Sequence, residues 1–230
     1  MISSPRQLAL DWPHAPSFAR EDFVPAPSNR EALRAIDLWP NWAGRMLVLV
    51  GPEGAGKSHL GSIWASAAGA VRLHGEALNE EGLNAGARAS AVLIEDVDRV
   101  GASETHLFHL LNAALQNDIW LLLTARAAPD AWGLVIADLL SRLRLAPVTR
   151  LATPDAELTE AVLFKLFSDR QLQVEPHVIS FIALRLERSL GAARAIVASL
   201  DRQALSKGQR ITRSMASELL SGMAPGGEQA

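Results

Sequence analysis

The residues best suited to chemistry lie in one short stretch, Gly51-Pro52-Glu53-Gly54-Ala55-Gly56-Lys57-Ser58. Its pattern, Gly-x-x-x-x-Gly-Lys-Ser, is that of a phosphate-binding loop. Glycines let a backbone curl around phosphate oxygens with its N–H groups turned inward as an anion nest. A helix starting near Lys57 adds the positive end of its dipole. In this pattern the lysine reaches the outer phosphates and the serine hydroxyl binds Mg2+. The run 46–50 before it is aliphatic, long enough for one buried strand and too short for a helix. The stretch reads as a nucleotide site, taking ADP or ATP with Mg2+.

Further groups stand where such a site needs them. Glu95 and Asp96 follow the apolar run 91–94. At a strand end beside a phosphate loop, one carboxylate holds Mg2+ and the next orients the attacking water. Glu95 is assigned to the metal and Asp96 to the water. Thr124 ends the apolar run 119–123, where a hydroxyl can sense the terminal phosphate. Arg142 and Arg144 flank a helix end; they are either solvated surface arginines or a cation supplied to a neighbouring subunit's nucleotide. Arg188 and Arg194, further on, are either surface groups or contacts to the chain's own phosphates. The six histidines show no metal-ligand spacing, and the absence of cysteine excludes disulfides, Cys-zinc sites and thiol catalysis.

The elements that must position these groups follow from apolar patterning. Five short apolar strands, at 46–50, 70–74, 91–94, 119–123 and around Val148, alternate with helices. That is the signature of a mostly parallel sheet covered on both faces, with ligands beyond the strands' carboxyl ends. Ser28 and Glu31 have the spacing of a capping box opening a helix through Trp39. Helices are also expected over 57–68, 103–116 (with Leu107, Leu110, Leu111 and Leu115 as its apolar stripe) and 132–143, and 75–90 reads as loop with one weak helix. From residue 155 the pattern turns purely helical, at 155–170, 176–187, 191–206 and 213–222. The expected organisation is an extended tail (1–17), an α/β core (18–153), a small all-α lid (154–222) and a disordered end (223–230).

Composition bounds the rest. With 230 residues, 49% hydrophobic and 20% charged, the chain has the make-up of a well-cored globular protein. A net charge of −3 offers no global basic field for nucleic acid. No apolar run approaches the roughly 18 residues of a membrane span, and the N-terminus lacks a signal-peptide layout, so a cytoplasmic protein is expected. Within the proline-rich tail, Gln7-Leu8-Ala9-Leu10-Asp11-Trp12 sets an amide before apolar and aromatic residues. It either packs on the main domain or docks into a partner's pockets.

Taken in order, these motifs resemble the bacterial replication initiator DnaA and, more closely, the Hda family of short DnaA-related AAA+ regulators. Phe23-Val24-Pro25-Ala26-Pro27-Ser28-Asn29 looks like the family's entry segment, which lies against adenine; Gly56-Lys57-Ser58-His59-Leu60 resembles its phosphate loop. Glu95-Asp96 falls at its paired acids, and Thr124-Ala125-Arg126 at its first sensor. Asp138-Leu139-Leu140-Ser141-Arg142-Leu143 looks like the arginine-finger helix, and Arg188-Ser189-Leu190 like the second sensor, favouring Arg188 over Arg194. The resemblance implies an AAA+ core with a helical lid, and adenine nucleotide held by Phe23, Val24, Asn29, the 51–58 loop, His59 and Arg188.

It further implies that Gln7, Leu8, Leu10 and Trp12 bind the DNA polymerase III sliding clamp, and that Arg142 acts in trans on ATP held by DnaA. DnaA continues past its lid into a DNA-binding domain, whereas this chain ends near 222, so no sequence-specific DNA binding is expected. Glu95 replaces the family's usual Asp, and Asp96 the Glu of vigorous ATPases, so little or no intrinsic hydrolysis is expected. Monomer and homodimer stay open. The alternative is a helicase loader or transposition helper, relatives that share the Gly-Lys-Ser/Thr-His-Leu signature.

Overall fold

A computed structural model describes residues 18–223. Phe18–Pro154 forms one compact unit, and the described part of Asp155–Ala230 forms a second. The tail peptide at 7–12 lies outside the described residues.

The first unit is built on β1 (Met46–Val50), β2 (Val71–His74), β3 (Ala91–Glu95), β4 (Trp120–Ala125) and β5 (Val148–Arg150). They form one all-parallel sheet in the order β2-β3-β4-β1-β5. Strand side chains alternate between faces, and both faces of this sheet are apolar. On one, Val48 and Val50 of β1, Ile94 of β3 and Leu121 and Leu123 of β4 pack with Leu107, Leu110 and Leu111 of α4 (Glu104–Gln116) and Leu139 and Leu143 of α5 (Ala137–Leu143). On the other, Leu47 and Leu49, Leu93 and Leu122 meet Leu33 and Ile36 of α1 (Arg30–Asp37) and Leu60 and Trp64 of α2 (Lys57–Ala68). Each such leucine or valine contributes about 1.5–3 kcal/mol by leaving water. A short α3 (Glu80–Ala87) covers the β2 side, its first turn capped by the Asn79 carboxamide, which accepts from Gly82 N–H at 2.9 Å.

The second unit is a bundle of α6 (Ala156–Asp169), α7 (Pro176–Ala183), α8 (Leu190–Lys207) and α9 (Arg213–Met223). Its own core joins Leu163 and Phe167 to Ile182, Ile196, Leu200 and Met215. Asp155 and Ser189 cap α6 and α8 by accepting from Leu158 and Ala192 N–H. Among the described residues no helix is long and apolar enough to cross a membrane.

Four local expectations change. The Ser28 capping box is not made: Asn29 holds the N-cap position of α1 and turns its carboxamide backward, accepting from Ala26 N–H at 2.8 Å and donating to Val24 C=O at 3.0 Å. The helix expected over 132–143 is shortened to α5, because Gly133 adopts φ +68° and breaks the chain after a single 3-10 turn at Pro129–Ala131. The α7 helix stops at Ala183 rather than 187. Leu115 is not in the stripe of α4; Ala114 takes its place and Leu115 is 52% exposed. The buried set 107, 110, 111 and 114 is the i, i+3, i+4, i+7 face of a 3.6-residue helix, and position 115 has rotated off it.

This last difference is testable. Leu107→Ala should cost about 2–5 kcal/mol of unfolding free energy in a denaturant titration. Leu115→Ala should stay within about 0.5 kcal/mol of the parent protein. Equal losses would contradict the burial pattern.

Candidate functional site

The parallel register brings the carboxyl ends of β1, β3 and β4 to one edge. Leu49 pairs with Thr124, Val50 with Ala125, and Ile94 with Leu123, so Gly51, Glu95, Thr124 and Arg126 emerge side by side. Gly51 N–H continues the ladder by donating to Ala125 C=O at 3.1 Å. A side chain at Gly51 would collide with the backbone, since a Cβ there would lie 2.8 Å from Leu151 O. The loop then turns through Gly56, whose φ of +105° opens α2 from a conformation that L-residues seldom adopt.

Lys57 begins α2 with its side chain buried. Its ammonium donates to Gly51 C=O at 2.8 Å and Pro52 C=O at 2.9 Å, which ties the start of the loop to the helix. Burial lowers its pKa below the usual lysine value, and the carboxylates of Asp96 and Asp98 pull the other way. Ser58 follows on the first turn, exposed.

The acids sit beside it. Glu95 ends β3 half-buried, and Asp96 occupies the left-handed region at φ +49°, a strained setting that asparagine and aspartate tolerate best. That turn presents Asp96 N–H to the buried Thr124, whose Oγ1 accepts it at 3.1 Å. The Thr124 hydroxyl thereby fixes the acid's backbone while keeping its own proton to donate. Asp98 Oδ2 accepts from Arg126 N–H at 3.2 Å, and Asp98 Oδ1 is buried without a hydrogen-bond partner. Among the described residues no cluster of three or more His, Cys, Asp or Glu is arranged to hold a metal. Mg2+ does not need one, as it commonly binds through one or two protein oxygens plus phosphates and water. Ser58 and Glu95 fit that pattern.

The entry segment is fastened to α2 through His59. The His59 ring meets Phe18 and Phe23 edge-on, at 5.4 and 5.2 Å between centroids. Its Nε2 lies 3.0 Å from Ala19 C=O; a carbonyl can only accept, so this nitrogen carries the proton. Phe23 and Asn29 are buried, and Val24 is partly exposed. His59 thus stands where the loop helix and the entry segment join.

Arg142 is elsewhere, on α5. Its guanidinium donates twice to Asp138 Oδ2, at 3.0 and 2.9 Å, and lies 5.9 Å from the Phe108 ring centroid. The start of α5 is braced from α4: the Glu104 carboxylate accepts from Val135 N–H at 2.9 Å and Ile136 N–H at 2.6 Å. Ile136 is the N-cap of α5 and Val135 the residue before it, so this entry to the helix is held by a side chain 31 and 32 residues away. Arg144 pairs separately with Asp130. In the helical unit, Arg188 lies in an exposed bend between α7 and α8, whereas Arg194 is half-buried on α8, where desolvation lowers its pKa.

Asp98, Glu104 and Arg126 were not assigned from the sequence. Their spacings to Arg126, Val135 and Glu53 exceed any local pattern.

A parallel sheet in this strand order, a phosphate loop leading into α2, strand-end acids and a following helical bundle make this an AAA+ P-loop fold. No protein-family model matches the chain. Among solved structures it is similar to domain III of the Thermotoga maritima replication initiation protein DnaA, with a TM-score of 0.82 at 20% identity over 92% of this chain and 99% of that one. AMPPCP-bound DnaA from Aquifex aeolicus gives 0.71 at 16% identity over 89% and 70%. The Thermotoga maritima RuvB Holliday junction branch migration motor gives 0.68 at 18% over 90% and 72%. At such identities the likeness is one of fold.

Replacing Glu104 by Ala should expose the Val135 and Ile136 amides to faster hydrogen exchange and cost about 1–3 kcal/mol of stability. Unchanged protection at both amides would show that α5 is held by other means.

Proposed function

We propose that the protein is an Hda-like regulator that binds adenine nucleotide in the 51–58 loop, docks on the sliding clamp through Gln7, Leu8, Leu10 and Trp12, and stimulates ATP hydrolysis by DnaA through Arg142. The observation that carries this reading is the setting of Arg142. It is on a braced helix, 36% exposed, and held by Asp138 through an ion pair that a phosphate can displace. A guanidinium presented this way suits a charge arising on a partner's ATP. DnaA itself is a neighbour in fold, and one DnaA structure is bound to AMPPCP, which supports adenine nucleotide as this chain's ligand.

In its own site, the loop N–H groups and Lys57 would hold the phosphates, with Phe23, Val24, Asn29 and His59 on the adenine side. Ser58 and Glu95 would hold Mg2+, which supplies charge neutralisation at the phosphates. Asp96 and Thr124 would orient a water, and a lid arginine (Arg188, or Arg194 from its burial) would complete the phosphate contacts. The core–lid boundary is taken at 153/154. A cytoplasmic protein without sequence-specific DNA recognition follows from this role.

The decisive assay is hydrolysis of DnaA-bound ATP with clamp, DNA and this protein. Arg142→Ala should return the rate to its unstimulated level, a loss on the order of a thousandfold or more if the arginine acts in full. An unchanged rate removes Arg142 from the mechanism. In a clamp pull-down, Gln7→Ala and Leu10→Ala should abolish capture, and retained capture refutes the docking peptide.

A second reading, a helicase loader or transposition helper, has one observation in its favour: a DnaA neighbour is bound to single-stranded DNA as well as AMPPCP. It requires binding of single-stranded DNA by this chain and substantial phosphate release without DnaA.

A further inference from the structure

Across the mouth of the phosphate loop runs an ion pair that the proposed mechanism does not use. Arg126 Nη2 donates to Glu53 Oε2 at 2.8 Å, joining the residue that follows β4 to the third residue of the loop. The peptide unit joining Ala125 to Arg126 is held at both its polar groups, the Arg126 N–H by Asp98 Oδ2 and the Ala125 C=O by Gly51 N–H. The side chains of the pair are open to solvent: Arg126 is 42% exposed and Glu53 81%. The pair is therefore a solvent-accessible contact between a cation on an anchored backbone and an exposed carboxylate, the kind that is weak and easily exchanged.

Glu53 is unexpected chemically. A carboxylate on a loop built to nest anions repels the phosphates unless its charge is neutralised. Arg126 neutralises it. The hydrogen bond and charge of Glu53 hold the Arg126 pKa above its ordinary value, and Asp98 and Asp96 add to that. Arg126 lies two residues beyond Thr124, and its backbone is bonded to Asp98 in the segment following Glu95 and Asp96, which is the side proposed above for the water. A guanidinium that reaches the loop's carboxylate can as well take a phosphate oxygen, a better partner because of its higher charge and matching fork geometry.

We infer that Glu53 and Arg126 form a latch over the phosphate loop, which opens when the terminal phosphate of a nucleoside triphosphate takes Arg126 from Glu53 and stays closed over a diphosphate. The inference rests on the reading of 51–58 as a nucleotide site. It makes Arg126 a phosphate ligand specific for the triphosphate and Glu53 the residue that sets its threshold.

The test compares binding of Mg-ADP and Mg-AMPPCP to the full chain by calorimetry. Arg126→Ala should weaken AMPPCP about tenfold and leave ADP within about twofold. Glu53→Gln should tighten AMPPCP several-fold, with a smaller gain for ADP, and the AMPPCP gain should vanish in the double variant. Arg126→Lys, which keeps the charge without the fork, should restore part of the loss. Both side chains are exposed, so unfolding midpoints without nucleotide should match the parent. The latch is overturned if both single variants shift ADP and AMPPCP equally, or neither, while Lys57→Ala abolishes binding of both; the nucleotide site then still stands. If the parent binds neither nucleotide, or Lys57→Ala leaves both unaffected, the site itself is refuted and the latch with it.

Discussion

The Lys57 ammonium is buried, and burial disfavours its charged form. Two loop carbonyls and the fields of Asp96 and Asp98 offset that cost. The arrangement binds the loop's first residues to the start of α2, so the curl of 51–56 is held shut by its own lysine. It also explains why acids must gather here: a desolvated cation requires nearby negative charge, and the strand ends are where the sheet can supply it. With both faces apolar, the sheet leaves its carboxyl edge as the place where polar groups can converge without being buried unpaired.

Lys57 and Arg142 show how differently environment can hold two cations of one unit. Lys57 is enclosed and held by the neutral carbonyls of Gly51 and Pro52. Arg142 is at the surface, held by a single carboxylate one helical turn away. An ion pair in solvent is readily traded for a phosphate, whereas a lysine bonded to two backbone carbonyls acts as structure before it acts as a ligand. Arg126 is intermediate, with a fixed backbone and an exchangeable side chain.

The likeness to DnaA domain III spans most of both chains, yet identity is low. At that distance the likeness is one of fold, whose frame in this chain is parallel strands, a glycine-permitted loop and a helix N-terminus aimed at one point. In this chain further polar contacts brace that frame. Asn29 turns back to secure the entry segment, His59 fastens that segment to α2, and Glu104 supplies the missing acceptor for the start of α5. Asn29 and Glu104 satisfy backbone groups of the segments they secure, whereas His59 adds a second donor to Ala19 C=O, which already accepts from Asp22 N–H.

Local chemistry made much of this readable in one dimension. The strand at 46–50 and the helix at 57–68 have the observed ends, because a strand's apolar run and the glycine punctuation around a phosphate loop are properties of consecutive residues. The alternation of strands and helices likewise specified a parallel sheet, and with it the edge where Lys57, Glu95, Asp96 and Thr124 meet. Helix limits were less secure where a competing local geometry won: Asn29 displaced Ser28 as cap because its carboxamide could reach two backbone groups of the preceding turn, and Gly133 cut a helix that apolar spacing alone would have continued. The ion pair of Glu53 with Arg126, the grip of Asp98 on the Arg126 backbone and the brace from Glu104 were decided only by tertiary structure. They join residues 28 to 73 positions apart, through contacts whose geometry exists only after the sheet has set its register.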